Sequence, residues 1–110
     1  AEFSSRGPVG RRGEKPDVVA PGVNIISLNT DKDYVSGTRP TTLNEPYKKM
    51  SGTSVSTPIV AGGVALLLEK NPALSPDQIK KKIMENARDL SASVYEQGRG
   101  LVDIKSLVGI

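Results

Sequence analysis

The most informative stretch of this 110-residue sequence is Gly52-Thr53-Ser54-Val55-Ser56-Thr57-Pro58. It puts a serine on a Gly-Thr turn ahead of the uniformly apolar segment 59–68, which predicts a helix buried in the core. We expect Thr57 to cap that helix and Pro58 to lie in its first turn, where no backbone donor is needed. The pair Gly62-Gly63 costs the helix about 1 kcal/mol per residue against alanine, so we expect a strand layer to approach that face closely.

Ser54 lies where its surroundings favour a nucleophile. Gly52 permits backbone angles that other residues avoid, so the turn exposes the hydroxyl. The following helix directs unpaired N–H groups and its positive dipole end towards this point, and the N–H of Ser54 would serve as one oxyanion-hole donor. These seven residues leave another interpretation open, because Thr53 and Ser54 are also ordinary caps of a buried helix. The sequence contains no histidine, the usual general base for a serine.

Short strands and turns precede the serine. Residues 17–20 and 23–27 are predicted to be short strands, and residues 47–50 a strand that leads to Gly52. Segment 28–46 is polar and has no clear pattern, so we interpret it as a surface insertion loop.

Two further helices are predicted after the apolar one. Ser75-Pro76-Asp77-Gln78 combines a cap, a first-turn proline and a capping-box glutamine, which indicates the start of an amphipathic helix. Its apolar stripe consists of Ile79, Ile83, Met84, Ala87 and Leu90. A last short helix is expected to open at Asp103.

The composition argues against several classes of partner. Net charge is +3, and 15 Lys and Arg are scattered among 12 Asp and Glu without interleaved aromatics, so no nucleic-acid partner is expected. The run Lys80-Lys81-Lys82 is interpreted as the solvated face of a helix. There is no cysteine for disulfides or thiolate metal sites, and no apolar run is long enough to span a bilayer, so no membrane partner is expected. No signal peptide is visible, and the location, intracellular or secreted, stays open.

Three segments in a fixed order resemble a known family. They are Phe3-Ser4-Ser5-Arg6-Gly7-Pro8, Lys15-Pro16-Asp17-Val18-Val19-Ala20-Pro21-Gly22-Val23-Asn24-Ile25, and residues 52–58. With the helices that follow and the Gly-Arg-Gly-Leu-Val-Asp run at 98–103, they closely resemble the C-terminal part of the catalytic domain of subtilisin-like serine proteases, the subtilases. The resemblance covers residues 1–110 and is weakest over 28–46.

The resemblance implies an α/β class and a nucleophile. The expected architecture is a partial subtilisin-like fold with a buried central helix after the nucleophile, short strands and C-terminal amphipathic helices, within a domain whose sheet is mostly parallel. In the family pattern Gly-Thr-Ser-Met-Ala-x-Pro the serine is the nucleophile, which places that role on Ser54. Gly52, Thr53 and Pro58 form the framework of the nucleophile turn, and Val55-Ser56 replaces the usual methionine and alanine. These modest substitutions keep the framework intact.

The other catalytic groups of the family would lie before Ala1. The family order is acid, histidine, serine, so the resemblance puts the acid, the base and the oxyanion-hole asparagine upstream. Since Ala1-Glu2-Phe3 has no initiator methionine, we interpret the chain as a fragment. Calcium sites are frequent in such proteases, but no acidic cluster with calcium-ligand spacing is seen and no cofactor is assigned. Four aspartates, with no histidine to orient, are interpreted as caps, turns or surface charges: Asp17, Asp33, Asp77 and Asp103.

The implied function is a serine endopeptidase acting on peptide or protein substrates, to which this chain supplies Ser54 and half of the oxyanion hole. In subtilisin, loss of the histidine lowers turnover about a millionfold, so the chain alone is expected to be inactive. The alternative is a non-catalytic half-domain that serves as an assembly or interaction module of a degenerate protease. An esterase is disfavoured because Gly-x-Ser-x-Gly is absent. Since the chain contains few strands to cover its apolar helix, the isolated chain is expected to self-associate or to repack locally.

Overall fold

The computed structural model describes residues 1–10, 13–30 and 46–110. These residues form two strands and four helices, in the order β1 (Ile25–Leu28), β2 (Tyr47–Met50), α1 (Thr53–Lys70), α2 (Pro76–Glu85), α3 (Val94–Gln97) and α4 (Ile104–Val108). The strands pair antiparallel, with Ile25 opposite Met50 and Leu28 opposite Tyr47. Most of the predicted insertion loop, residues 31–45, lies outside the described residues.

The strand predictions met different outcomes. The strand at 47–50 is confirmed, and it leads directly to the Gly52-Thr53-Ser54 turn. β1 starts later than predicted because Asn24 has a φ of 54°, in the left-handed region, which interrupts an extended chain.

The predicted strand at 17–20 was wrong. Val19 forms a single parallel bridge with Leu101, in which the Val19 N–H donates to the Gly100 carbonyl at 2.9 Å and its carbonyl accepts from the Val102 N–H at 2.8 Å. The pairing goes no further because the partner segment enters helix α4 directly after Asp103.

A small core joins the helices on one side of α1. Its buried members are at most 8% exposed and come from α1, α2, the segment before α4, and α4: Leu67, Ile83, Val102 and Leu107. Partly buried apolar side chains pack around them: Val18, Ala20, Val60, Val64, Leu74, Ile79 and Ile104. The core therefore holds the long helix against the C-terminal third of the chain.

The described residues cover only one side of α1, rather than surrounding it as expected. Leu67 and Gly63 are buried, whereas Leu66 is 47% exposed. A Cβ added at Gly63 would lie 3.1 Å from Cγ1 of Ile104, while one added at Gly62 would meet nothing within 4 Å. Within this part of the chain the expected strand layer against the glycine pair is therefore wrong, because helix α4 makes the close approach.

Helices α2 and α4 begin where the sequence predicts. The Ser75 hydroxyl accepts from the Gln78 N–H at 3.3 Å, and Gln78 Oε1 accepts from the Ser75 N–H at 2.8 Å, which completes a capping box. The Asp103 carboxylate accepts from the Ser106 N–H at 3.0 Å and caps α4.

Helix α2 is shorter than its predicted apolar stripe, since it ends before Ala87 and Leu90. The chain then turns around the buried side chain of Gln97, which accepts from the Leu90 N–H and donates to Asp89, both at 2.8 Å. Gln97 belongs to helix α3, which was not predicted. A four-residue helix without a side-chain cap leaves little pattern in a sequence.

Candidate active site

Ser54 is the second residue of helix α1, and it is exposed. The residue before the helix, Gly52, has a φ of 149°, in the region that favours glycine. Because the first N–H groups of a helix have no partner within it, the N–H of Ser54 is an available donor. This donor, the positive end of the helix dipole and the Ser54 hydroxyl lie at the same helix end. The arrangement suits stabilisation of an anion that forms next to the hydroxyl.

The helix starts earlier than predicted, at Thr53, so the cap assignment was wrong. Thr57 lies inside the helix, where its Oγ1 donates to the Thr53 carbonyl at 3.1 Å. Pro58 is also inside, beyond the first turn, and has no N–H to offer the carbonyl of Ser54. The earlier start is possible because the carbonyl of Gly52 accepts the first hydrogen bonds and closes the turn around Ser54.

Residues 20–24, which we call the supporting segment, pack against this turn. The Gly52 N–H donates to the Gly22 carbonyl at 2.7 Å. Gly22 has no room for a side chain, because a Cβ there would overlap the Ser56 hydroxyl and lie 2.8 Å from the Gly52 carbonyl oxygen. Glycine at this position therefore lets the two backbones approach.

Two serines flanking the turn also bind the supporting segment. The Ser51 hydroxyl accepts from the Asn24 N–H at 2.8 Å, and the Ser56 hydroxyl donates to the Ala20 carbonyl at 3.1 Å. Neither serine was predicted as part of the site. The only signal in the sequence was their position on either side of the Gly-Thr-Ser turn.

A cleft of about 460 Å³ lies beside the start of α1. Thr53 and Ser56 line it from the helix, and Phe3 and Leu90 are among its apolar walls. Ser54 does not line this cleft.

Asp17 makes ion pairs, in line with its predicted surface role. Its Oδ2 lies 2.8 Å from Lys15 Nζ and 3.3 Å from Lys80 Nζ. The hydrogen bond from Lys15 is the main cause of a lowered pKa for this carboxyl; Lys80 also lowers it, and burial opposes both. Asp17 therefore joins the chain just ahead of the supporting segment to helix α2.

Asp103 and Asp77 lie at the starts of two different helices. Asp103 caps α4, and the hydrogen bond from the backbone N–H of Ser106 is the main cause of its lowered pKa. Asp77 lies in the first turn of α2, where the helix dipole favours a negative charge. Asp33 lies outside the described residues.

Over 1–10, 13–30 and 46–110, no three His, Cys, Asp or Glu side chains lie close enough to hold a metal ion. In the same part of the chain, no helix combines the length and the apolar character needed to cross a membrane.

Known proteins resemble this chain in sequence and in structure. A sequence model of the subtilase family matches residues 1–100. Over 112 aligned residues the chain is 42% identical to the serine protease AprX of Bacillus subtilis (strain 168), an alignment that covers 98% of this chain and 25% of that protein.

Two solved structures share the fold. Fervidolysin from Fervidobacterium pennivorans, a keratinolytic enzyme related to subtilisin, matches with a TM-score of 0.67 and 33% identity over 82% of this chain and 14% of its own. The CspB protease of Clostridium perfringens matches with a TM-score of 0.72 and 29% identity over 97% of this chain and 22% of its own.

These matches confirm the predicted fold class, a partial subtilisin-like α/β fold. The chain spans a quarter or less of the length of each of these three proteins. Because the family match extends over residues 1–100 and includes the Gly52-Thr53-Ser54 turn, the chain belongs to the subtilase family.

Proposed function

We propose that this chain supplies Ser54 as the nucleophile of a serine endopeptidase that cleaves peptide bonds through an acyl-enzyme. The observation that carries the proposal is the position of Ser54, exposed at the second residue of α1 behind a glycine of positive φ. Membership of the subtilase family and similarity to proteins named as proteases support the reaction class.

The reaction uses the hydroxyl and the N–H of Ser54 in one step. The oxygen adds to the carbonyl carbon of the scissile bond while its proton passes to a general base. The carbonyl oxygen becomes an oxyanion, to which the Ser54 N–H donates a hydrogen bond at the positive end of the α1 dipole. The tetrahedral intermediate expels the amine, which takes up the proton, and water then hydrolyses the serine ester to release the carboxylic acid.

The 110 residues contain no histidine, which is the usual general base for a serine nucleophile. We propose that a segment of the whole protein outside this chain supplies the histidine, the acid that orients it and an asparagine as the second oxyanion donor. A nucleophile without its base retains about one millionth of the turnover in subtilisin. The isolated chain is accordingly proposed to be inactive.

Labelling by a fluorophosphonate probe, together with cleavage of casein, tests this function. The full-length protein should be labelled on Ser54 and should cleave casein, whereas the variant Ser54→Ala should do neither. Ser93→Ala is a matched control, because it also removes a serine hydroxyl hydrogen bond, to Glu96 at 3.2 Å on the exposed surface. The isolated 110-residue chain should show neither labelling nor cleavage.

The competing function is a non-catalytic interaction module. It would be supported by a full-length protein that folds yet is neither labelled nor active on casein. Labelling at a serine other than Ser54 would also contradict the proposed role of this residue.

A further inference from the structure

We propose that Ser51 and Ser56 are positioning residues that clamp the nucleophile turn to the supporting segment, residues 20–24. The inference rests on the proposed function of Ser54. It assigns to the two flanking serines the task of holding the oxygen and the N–H of Ser54 in the orientation that attack requires.

The two serines lie on either side of the turn, and each forms a hydrogen bond with the supporting segment. Ser51 precedes the turn and accepts from the Asn24 N–H at 2.8 Å. Ser56 follows Ser54 by two residues, and its hydroxyl donates to the Ala20 carbonyl at 3.1 Å. Ser54 thus lies between two side chains that are both bonded to one short stretch of backbone.

The start of α1 needs such support because the helix itself holds its first turn weakly. Gly52 provides no side-chain cap. Pro58 cannot donate to the carbonyl of Ser54, so one hydrogen bond of the helical ladder is missing at the nucleophile. Contacts from outside the helix must therefore limit the motion of this turn.

The supporting segment is suited to this task because it is itself anchored. Immediately before it, Val19 exchanges backbone hydrogen bonds with Gly100 and Val102 at 2.9 and 2.8 Å. Val102 is a member of the core. The clamp therefore connects the nucleophile turn to the packed interior.

Gly22 makes the clamp possible, because a larger residue would not fit between the supporting segment and the start of α1. Its carbonyl accepts from the Gly52 N–H at 2.7 Å. In the sequence, Gly22 lies between Ala20 and Asn24, the two residues that the serines contact. A Cβ at this position would overlap the hydroxyl of Ser56. Ser56 stands where the family pattern has alanine, a residue that has no hydroxyl to make this contact.

Loss of the Ser56 hydroxyl should impair the chemical step more than substrate binding. A typical intramolecular hydrogen bond corresponds to roughly a three- to tenfold change in an equilibrium, which sets the size expected for a reorientation of Ser54. We expect Ser56→Ala in the full-length protein to lower kcat, and the rate constant of fluorophosphonate labelling, by about three- to tenfold. KM should stay within about twofold, because a positioning residue acts on the chemical step and not on substrate binding.

Ser51→Ala should show the same separation of kcat from KM, and the double variant should lose more than either single one. The control is Ser93→Ala, which loses a hydroxyl contact with Glu96 at the start of helix α3 and should keep both constants. Thermal unfolding of all variants shows how much of any change reflects loss of the fold.

Three outcomes count against the inference, and they can be told apart. If the unsubstituted protein is labelled on Ser54 but the serine variants react at the same rate, the clamp is wrong and the proposed function stands. If the unsubstituted protein is not labelled at all, the proposed function fails and the clamp fails with it. A fall in kcat that matches the fall in folded protein would also count against positioning.

Discussion

The ammonium group of Lys80 lies 3.3 Å from Oδ2 of Asp17, so helix α2 is joined to the chain just ahead of the supporting segment. The same carboxylate oxygen lies 2.8 Å from Lys15 Nζ. Two cations therefore share one carboxylate whose side chain is only 33% exposed. This arrangement favours the ionised form of Asp17 and links folding stability to pH.

Replacement of Asp17 by asparagine should destabilise the chain at neutral pH and have less effect in acid. The pKa of Asp17 is lowered from its ordinary value of 3.8 in the folded chain, mainly by the hydrogen bond from Lys15. Its stabilising contribution is therefore present above the unfolded-state pKa and is lost as the pH falls through the folded-state pKa. Solvent screening keeps the effect to at most about 1 kcal/mol.

Urea denaturation of the Asp17→Asn and unsubstituted chains between about pH 2 and pH 7 measures that difference. Glu85→Gln is the control, since it breaks a more exposed pair, with Lys81 Nζ at 3.7 Å. If the difference in free energy of unfolding between Asp17→Asn and the unsubstituted chain does not change with pH, the stabilisation by Asp17 is not electrostatic.

Replacement of Ser75 by alanine should lower the free energy of unfolding by about 1 kcal/mol, because α2 loses its capping box. The hydroxyl accepts from the Gln78 N–H, which would be left without its partner at the helix start. Denaturation followed by circular dichroism gives the value. Ser93→Ala is a suitable comparison, because Ser93 precedes α3 without a side-chain cap bond, and an equal loss in both variants would argue against the cap.

The neighbouring glycines of α1 should respond differently to alanine in the 110-residue chain. Gly62→Ala should stabilise the chain by up to about 1 kcal/mol, through helix propensity alone, because its Cβ meets nothing within 4 Å. Gly63→Ala brings a Cβ to 3.1 Å from Ile104, so we expect it to gain less or to destabilise the chain. Equal changes in the midpoint of urea denaturation would show that α4 does not pack against Gly63.

The isolated chain should self-associate through its exposed apolar side chains. Ile26 and Leu28 on the hairpin are 65% and 77% exposed, and Leu66 of α1 is 47% exposed. Exposed apolar groups of this kind favour association. Sedimentation velocity should detect oligomers, and a hydrophobic dye should bind.

Leu28→Lys should shift the chain towards the monomer by removing the most exposed of these hairpin side chains. Ser27→Lys adds the same charge at the next position without removing an apolar group, and it should have less effect. A monomer that binds no dye would contradict the prediction for the unsubstituted chain.

Local contacts explain what could be predicted from the sequence. The capping box of Ser75 and Gln78 and the cap at Asp103 each join residues three apart, so the pattern alone was sufficient to place α2 and α4. The strand at 47–50 was predicted from contiguous residues and the resemblance to subtilases from short segments in a fixed order, and both are confirmed. The role of Ser54 stays a prediction.

Contacts between residues far apart in the sequence decided where α1 starts and what packs against it. Helix α1 begins at Thr53 instead of after Thr57, in a turn whose Gly52 N–H is bonded to the Gly22 carbonyl. The bond between Ser56 and Ala20 and the approach of Ile104 to Gly63 likewise join positions far apart in the chain. The sequence by itself therefore determined the family, the capped helices and the candidate nucleophile. Only the tertiary structure decided where α1 starts and what supports Ser54, because backbone hydrogen bonding and close packing between distant segments depend on which segments the fold brings together.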